Sequence, residues 1–443
     1  MVMLEEYMNK ILCSMVFLFV LSTIDANAAQ MFTLEQAVEH AVKANPGVES
    51  KILLLEQAKM NIGVAQSYFW PRISLVAANT RTKNYEPIPV YSSDSLSQRT
   101  WTKGLQANLS LFSGFAHLSN LQKSLLSKDI ASANQIQAEL ELGCNVQLQF
   151  LNLLKLRENL KSSEEAVVRI NKQLSASEAF VKVGMAPYLN VLQNQVELSK
   201  AKQQVIKVKN DIRNSEVQLN KYLNFPPDEQ IVYRGNLKDY ARGISYTEEA
   251  AINTAIKCRP DLIIAQKSIE VAFKDMQISM SQYLPKIDLT YSNSQFSIDY
   301  DDPRYEDYGR HYWSAGLQFS WEIFSGGATT FDTLSQRKKA QSLQKQYEDS
   351  VSSARTDIIR SVLDMKAADE LIKATHVGLS AAKESYDMAN RRYTTNTGTI
   401  TELLDAQLRL TQSQNDESQA LNDYHAARSK FFYYIGQKNP SLR

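Results

Sequence analysis

Two carboxylates in the last quarter of the chain stand three residues apart, at Glu402 and Asp405. Residues three apart in a helix lie on one face, so these side chains are predicted to project together. Such a pair can attract cations, or one member can close the start of a helix. Thr399 precedes Glu402 by three residues, which fits a capping box, whereas Asp405 has no such explanation. Both interpretations of Glu402 stay open on these residues alone.

The residues that enzymes use most often form no recognisable constellation. There is no H-E-x-x-H pair, no Cys/His cluster and no phosphate-binding G-x-x-x-x-G-K-[ST] segment in the sequence. The sequence therefore predicts a protein that is not an enzyme, that uses no metal or cofactor, and that takes any energy from a partner. The scattered histidines are His40, His117, His311, His376 and His425.

The charge balance and the first residues restrict the partners and the location. With 49 basic and 48 acidic residues the net charge is +1, so no global field favours nucleic acid. Lys10, an apolar run and the small residues up to Ala28 predict a secretory signal peptide over residues 1–28, with the start left open between Met1 and Met8. Cys144 and Cys258 are predicted to be ordinary buried thiols, because two cysteines make no disulfide framework.

The chain contains two similar fourteen-residue segments. Residues 101–114 read WTKGLQANLSLFSG and residues 313–326 read WSAGLQFSWEIFSG, and this spacing of 212 continues without a gap. Upstream, Asn45-Pro46 and Arg259-Pro260 are 214 apart, and so are Trp70-Pro71 and Leu284-Pro285. Two residues were therefore gained or lost between Pro71 and Trp101. We interpret the chain as a tandem duplication. Its predicted parts are unit 1 at residues 29–224, a linker at 225–245 and unit 2 at 246–443.

Each copy contains a hairpin, predicted at about residues 72–112 and 286–324. Strict alternation puts apolar side chains on one face and polar side chains on the other. Segments of this length also cross a membrane as tilted barrel strands. The polar faces are predicted to line a wet lumen, and their residues are Gln106, Asn108, Ser110, Gln318, Ser320 and Glu322.

Helical patterns surround each hairpin. One helix is predicted before each hairpin, at residues 33–68 and 246–283, and a long helix followed by a return helix is predicted after it. An apolar residue recurs at every seventh position of both long helices, which is typical of a coiled-coil seam. The seam residues are Val146, Leu153, Leu160, Val167, Leu174 and Val181, then Ile358, Met365, Ile372, Leu379, Tyr386 and Tyr393.

Four strands with one apolar face cannot close on themselves. An open edge in lipid leaves backbone N–H and C=O groups unpaired, so the chain is expected to oligomerise in the membrane, with two chains supplying eight strands or three supplying twelve. A non-conducting structural coiled-coil protein of the cell envelope is the alternative. The amphipathic hairpins favour the membrane channel, because a strut needs none.

In this order of elements the chain resembles the TolC family of bacterial outer-membrane efflux proteins. The local text that carries the resemblance is LEQAVEHAVKANP at residues 34–46, RPDL at 259–262 and RRYTTNTGTITELLDAQ at 391–407. The resemblance implies a mainly α fold with membrane β-strands. In that fold a homotrimer forms one twelve-stranded outer-membrane β-barrel, continued by an α-helical coiled-coil barrel in the periplasm. It also implies passive export of small molecules or proteins delivered by an inner-membrane pump and a periplasmic adaptor.

The resemblance also implies roles for individual residues. Glu402 and Asp405 match the family's acidic gate ring, although the family has aspartate at both positions. Tyr393 matches a gate tyrosine that bonds to the neighbouring coil, but its place on the seam fits a core residue equally well. The family's gate arginine falls at Gly398, so that contact is absent here, with Arg391 or Arg392 as nearby candidates. The turns implied to dock the adaptor contain Val183, Gly184, Met185, Thr395, Asn396 and Thr397.

Overall fold

The computed structural model describes residues 31–85, 95–238, 247–301 and 306–439, so the predicted signal peptide lies outside the described residues. Within them the chain is mainly helical. No helix in these ranges is long and apolar enough to cross a membrane. The helices are α1 (Leu34–Ala44), α2 (Pro46–Ser67), α3 (Ala116–Lys182), α4 (Leu189–Leu223), α5 (Glu248–Cys258), α6 (Pro260–Met280), α7 (Ala328–Thr394) and α8 (Ile400–Tyr434). The strands are β1 (Met31–Phe32), β2 (Arg72–Tyr85), β3 (Ser95–Ser113), β4 (Val232–Tyr233), β5 (Lys286–Tyr300) and β6 (Tyr308–Ser320).

Each copy opens with two helices, whereas the sequence pattern predicted one. The break falls at Asn45 in the first copy and at Arg259 in the second, where ψ is 123° and 117°. Both residues precede a proline, whose ring disfavours the helical conformation of the residue before it. The proline then serves as the first residue of the next helix, where its missing N–H costs nothing. The prediction of single helices over residues 33–68 and 246–283 was therefore wrong.

The long helices agree with the predicted period. α3 and α7 have 67 residues each and begin 212 positions apart, and α4 and α8 have 35 residues each. None of the twelve seam residues is exposed, and Val146, Leu153 and Ile358 are almost completely buried. The seven-residue stripe therefore packs inward in both copies, as the coiled-coil pattern predicted.

The contacts divide the chain into two compact units that cut across the two sequence copies. The helical unit consists of the described residues of 1–48, 139–251 and 357–443, and the sheet unit of those of 49–138 and 252–356. The repeat boundaries are thus a division of the sequence and not of the packing. Of the two cysteines, Cys144 is buried as predicted, but Cys258 is exposed, so that prediction was wrong for Cys258.

Part of the predicted linker is built into the helical unit. Val232 and Tyr233 form β4, which pairs in parallel with β1 at the start of the described chain. Tyr233 is buried, and its hydroxyl donates to Asn220 Oδ1 at 2.7 Å. Ile231, Tyr233 and Leu237 of the predicted linker are therefore buried in the helical unit.

The sheet unit is built on a four-stranded antiparallel sheet of order β2-β3-β5-β6. Leu75 pairs with Leu105 in the first hairpin, and Leu289 pairs with Leu317 in the second. The two pairs are equivalent in the duplication, because Leu289 lies 214 residues after Leu75 and Leu317 lies 212 residues after Leu105. The pairing of the first hairpin continues in this register to its last pair, Tyr85 with Ser95. The two-residue difference between the copies therefore lies beyond the paired residues, inside the predicted interval.

One face of the sheet is apolar and exposed. Leu75 and Phe319 are 77% and 63% exposed, although such side chains normally bury in water-soluble sheets. The opposite face carries the polar residues, since Gln106 pairs with Ser292 and Ser110 with Asp288. Five of the six predicted lumen residues share this face, namely Gln106, Asn108, Ser110, Gln318 and Ser320.

The sixth, Glu322, does not lie in the sheet, because β6 ends at Ser320 instead of the predicted Phe324. The equivalent residues of β3, which run on to Ser113, pair only with β5. β6 lies at the edge of the sheet and has no strand in that position within the described chain. Trp321, the first residue after β6, donates from Nε1 to the carbonyl of Tyr283 at 3.0 Å. The prediction that Glu322 lies in this strand was therefore wrong for the single chain.

Candidate functional site at the helix tips

Both helical hairpins of the helical unit turn in the same way. In the first turn Gly184 has a φ of +73°, Gly184 N–H donates to the carbonyl of Val181 at 3.0 Å, and Met185 N–H donates to that of Phe180 at 2.8 Å. This is a Schellman motif, which ends a helix with one left-handed residue. Val183 and Met185 on either side of the glycine are 67% and 53% exposed. The first turn therefore presents apolar side chains at its tip.

The second turn repeats the geometry with polar residues. Asn396 takes the left-handed conformation with a φ of 57°, and Thr397 N–H donates to the carbonyl of Arg392 at 2.8 Å. The hydroxyls of Thr395 and Thr397 lie 3.0 Å apart and both reach carbonyl oxygens at the end of α7. Asparagine is among the few residues that adopt this conformation readily, which agrees with its match to Gly184 in sequence.

The start of α8 only partly follows the predicted capping box. Thr399 Oγ1 accepts a hydrogen bond from Glu402 N–H at 3.2 Å, as expected of an N-cap. The Glu402 carboxylate lies instead beside α7, with Oε2 at 3.5 Å from Arg392 Nη2. Only the Thr399 half of the box is present among the described contacts, so capping alone does not explain the Glu402 side chain.

Asp405 is the second carboxylate of the candidate gate. Its Oδ2 lies 2.9 Å from Nε of Arg409, one turn further along α8. Glu402 and Asp405 are both substantially exposed, and neither is part of the packed core. Each carboxylate therefore has its own arginine within the chain. A sequence signal existed only for the second pair, because Arg409 stands four residues after Asp405, the usual spacing of a helical ion pair.

Tyr393 fits both interpretations that the sequence left open. Its side chain is 5% exposed and packs with Ile400 and Leu403. Its hydroxyl lies 2.7 Å from Ser177 Oγ, a residue of the other helical hairpin. Asn194 Nδ2 donates to the same oxygen at 2.8 Å. The tyrosine is thus a core residue that also bonds across to the neighbouring coil, and its part in gating remains a prediction.

Ser177 and Asn194 were not among the residues predicted from the sequence. Ser177 stands three residues after the seam residue Leu174, where a second apolar seam position is expected. A buried polar residue at such a position needs a partner, and this requirement was the available signal.

The surroundings of Tyr393 favour an uncharged cluster. Burial raises the pKa of the neighbouring Tyr386 above its ordinary value, while Arg169, whose guanidinium carbon lies 5.7 Å from the ring centre, acts in the opposite direction. Phe180 contacts Tyr393 edge to face, with the ring centres 5.9 Å apart. The packing around Tyr393 is therefore largely aromatic, with the Arg169 guanidinium as a charged neighbour of Tyr386.

Comparison with known proteins places this arrangement in a family. The sequence model described as outer membrane efflux protein matches residues 37–224 and again residues 251–437, once for each copy. The outer membrane protein TolC of Escherichia coli (strain K12) is 21% identical over 429 residues, which covers 94% of this chain and 82% of that protein. The outer membrane efflux protein BepC of Brucella suis biovar 1 (strain 1330) is 22% identical over 403 residues, covering 91% of this chain and 85% of BepC.

A solved structure shows the same fold. The outer-membrane channel OprN superposes with a TM-score of 0.79 at 17% identity, covering 93% of this chain and 91% of that one. The members of the family are channel proteins. With both copies matched by the family model, the chain belongs to the outer membrane efflux protein family, that of TolC, and resides in the outer membrane.

Proposed function

We propose that three copies of this chain join into one passive duct, a twelve-stranded barrel in the outer membrane that continues as a helical tunnel into the periplasm. An adaptor and an inner-membrane pump deliver the cargo, and the duct itself performs no catalysis. The observation that carries the proposal is the four-stranded sheet. Its apolar face is exposed, and its edge strands β2 and β6 each have one neighbour in the described chain. In lipid such edges must be paired, and closure with further copies pairs them.

Two equivalent glycines support this pairing. A Cβ at Gly104 would clash with the carbonyl oxygen of Asn293 in β5, so β3 needs glycine where β5 approaches. The same position in β6 is Gly316, and a Cβ there would meet nothing within 4 Å. The glycine of β6 thus leaves room for a strand that the single chain does not supply.

The duplication predicts which residues would pair between copies. β3 meets β5 with Ala107 opposite Tyr291. If β6 meets the β2 of the next copy in the same way, spacings of 212 and 214 put Phe319 opposite Ala77 of the neighbour. Glu322 would then take the place that Ser110 has in β3 and join the polar face as the sequence analysis predicted.

Disulfide cross-linking tests this register. The test chain carries Ala77→Cys and Phe319→Cys, with the exposed Cys258 replaced by serine, and it is oxidised in outer membranes. Opposed residues of neighbouring strands are close enough for a disulfide. We expect a ladder of cross-linked dimers and trimers on denaturing gels.

The matched control carries Leu75→Cys with Phe319→Cys, which lies on the same face two residues out of register. A ladder from the control but not from the test pair would overturn the register. A ladder that ends at dimers would replace the trimer by an eight-stranded assembly.

The proposal assigns the two tip turns to adaptor docking. Val183 and Met185 are exposed apolar side chains at the end of a hairpin, and the threonines of the second turn present hydroxyls. Aspartate at residues 183 and 185 is expected to abolish pump-dependent efflux in cells while leaving channel conductance in planar bilayers unchanged. Normal efflux by this variant would remove the first turn from the docking surface.

Conductance measurements distinguish the proposed duct from the non-conducting structural coiled-coil protein. Purified full-length protein in a planar bilayer is expected to give discrete openings, because a closed barrel with a polar interior holds a continuous water path. A protein that assembles in membranes and never conducts under any applied voltage would favour the structural coiled-coil alternative.

A further inference from the structure

Two arginines at the helix tips contact the same carboxylates that the proposed function places at the constriction. Arg392, near the end of α7, lies 3.5 Å from Glu402, and Arg409 of α8 lies 2.9 Å from Asp405. Arginine stays protonated at any physiological pH. Each carboxylate at this site therefore has a permanent positive charge beside it in its own chain.

The turn between α7 and α8 is shaped around the first of these pairs. Gly398 N–H donates to the carbonyl of Arg392 at 3.0 Å, which draws the start of α8 back over the end of α7. A Cβ at Gly398 would lie 2.9 Å from Cβ of Arg392 and 3.3 Å from Oε2 of Glu402. The missing side chain at residue 398 thus leaves the space in which arginine and glutamate meet.

The four charges occur together in only one copy of the duplication. At a spacing of 212, Glu402 and Asp405 correspond to the neutral residues Asn190 and Gln193. Arg392 corresponds to Phe180, and Arg409 corresponds to a glutamate. The second copy therefore has both carboxylates with both arginines, and the first copy has neither pair.

Charges held in pairs act on a passing ion differently from single charges. An exposed ion pair contributes little to stability. It still cancels most of the field of each member at distances larger than the separation of the two charges. Glu402 and Asp405 with Arg392 and Arg409 sum to a net charge of zero for each chain.

We propose that Arg392 and Arg409 set the ion selectivity of the duct by neutralising the Glu402 and Asp405 carboxylates. This inference rests on the proposed function, because it assumes that α7 and α8 meet around a pore. The duct then discriminates weakly between small cations and anions, and the arginines are specificity-determining residues. Two acidic rings without these arginines would instead make the duct selective for cations.

The test is the reversal potential of single channels under a gradient of potassium chloride. In the double variant Arg392→Gln with Arg409→Gln, the permeability ratio of potassium to chloride is expected to rise roughly tenfold, because one unit charge at about 6 Å in water changes the potassium term about threefold and the chloride term about threefold in the opposite direction. The double variant Glu402→Gln with Asp405→Asn is expected to shift the ratio towards chloride. Lysine at residues 392 and 409 keeps the charge and should keep the wild-type ratio.

Arg391→Gln is the matched control. Like the single variant Arg392→Gln it removes one positive charge, but from a side chain that makes no ion pair with either carboxylate among the described residues. A shift in Arg391→Gln as large as in the single variant Arg392→Gln would overturn the proposal, because total charge and not pairing would then decide. An unchanged ratio in the arginine double variant would overturn it as well. A wild-type protein without openings would instead refute the proposed function.

Discussion

The two helix tips have the same backbone conformation but expose different side chains. Gly184 and Asn396 occupy equivalent left-handed positions, and both turns have the same two Schellman hydrogen bonds. The first tip exposes Val183 and Met185, whereas the second carries threonine hydroxyls and two ion pairs. Duplication thus preserved the bonds that end the helix and left the exposed side chains free to diverge. This is expected, because backbone satisfaction is obligatory and exposed side chains tolerate change.

The largest predicted difference between the tips concerns the seam residue nearest each turn. Tyr393→Ala is expected to lower the free energy of unfolding by about 3–5 kcal/mol, because a buried aromatic side chain leaves a cavity. Val181→Ala, the equivalent change in the first copy, should cost far less because Val181 is only half-buried. Denaturant unfolding of the full chain in detergent, followed by helical circular dichroism, measures both. Equal losses would show that the two tips are packed alike.

A smaller effect is predicted for the hydrogen bond between the hairpins. Tyr393→Phe keeps the packing and removes the hydroxyl that lies 2.7 Å from Ser177 Oγ. Losing a buried partner is expected to cost about 1–3 kcal/mol in the same unfolding experiment. The double variant with Ser177→Ala should lose less stability than the sum of the two single losses. Additive losses from two independent changes would contradict a direct bond.

The left-handed positions are predicted to respond in opposite directions. Gly184→Ala should destabilise the first turn by about 1–2 kcal/mol, since a Cβ is disfavoured at positive φ. Asn396→Gly should leave the second turn as stable as before or slightly more so. Comparing the unfolding midpoints of both variants with wild type checks the equivalence. If Gly184→Ala proved neutral, the first turn would have a different conformation in the assembled protein.

The smallest effect is predicted for the ion pair that distinguishes the second tip. A double-mutant cycle on Arg392 and Glu402, with glutamine at each, should give a coupling energy of about 0.2–1 kcal/mol, because both side chains are exposed. The coupling should fall further at high salt. A coupling of several kcal/mol would mean that the pair is buried by neighbouring chains in the assembly.

Sequence periodicity was sufficient for elements whose residues interact locally or by strict alternation. It predicted the long helices, both hairpins and the polar face of the sheet. The proline breaks were visible in Asn45-Pro46 and Arg259-Pro260 but were outweighed by the helical pattern on both sides. The end of β6 at Ser320 could not be predicted from that strand, because its alternating pattern continues to Ile323.

The contacts of the candidate site were harder to predict from the sequence, and the reason is different. The bond between Ser177 and Tyr393 joins residues 216 positions apart, and no local pattern predicts it. The contact between Arg392 and Glu402 depends on how a tight turn at Gly398 orients two helices. Composition identifies charged residues near a turn, but the backbone path decides which of them meet.

The two edges of the sheet have a genetic consequence. A chain whose β6 edge is blocked, for example by a bulky side chain in place of Gly316, still offers an intact β2 edge to a normal chain. If the proposed ring is correct, such a chain can enter an assembly but cannot complete it. Produced together with the normal chain, it would trap normal copies in unfinished rings, and the mutation would behave as dominant rather than recessive.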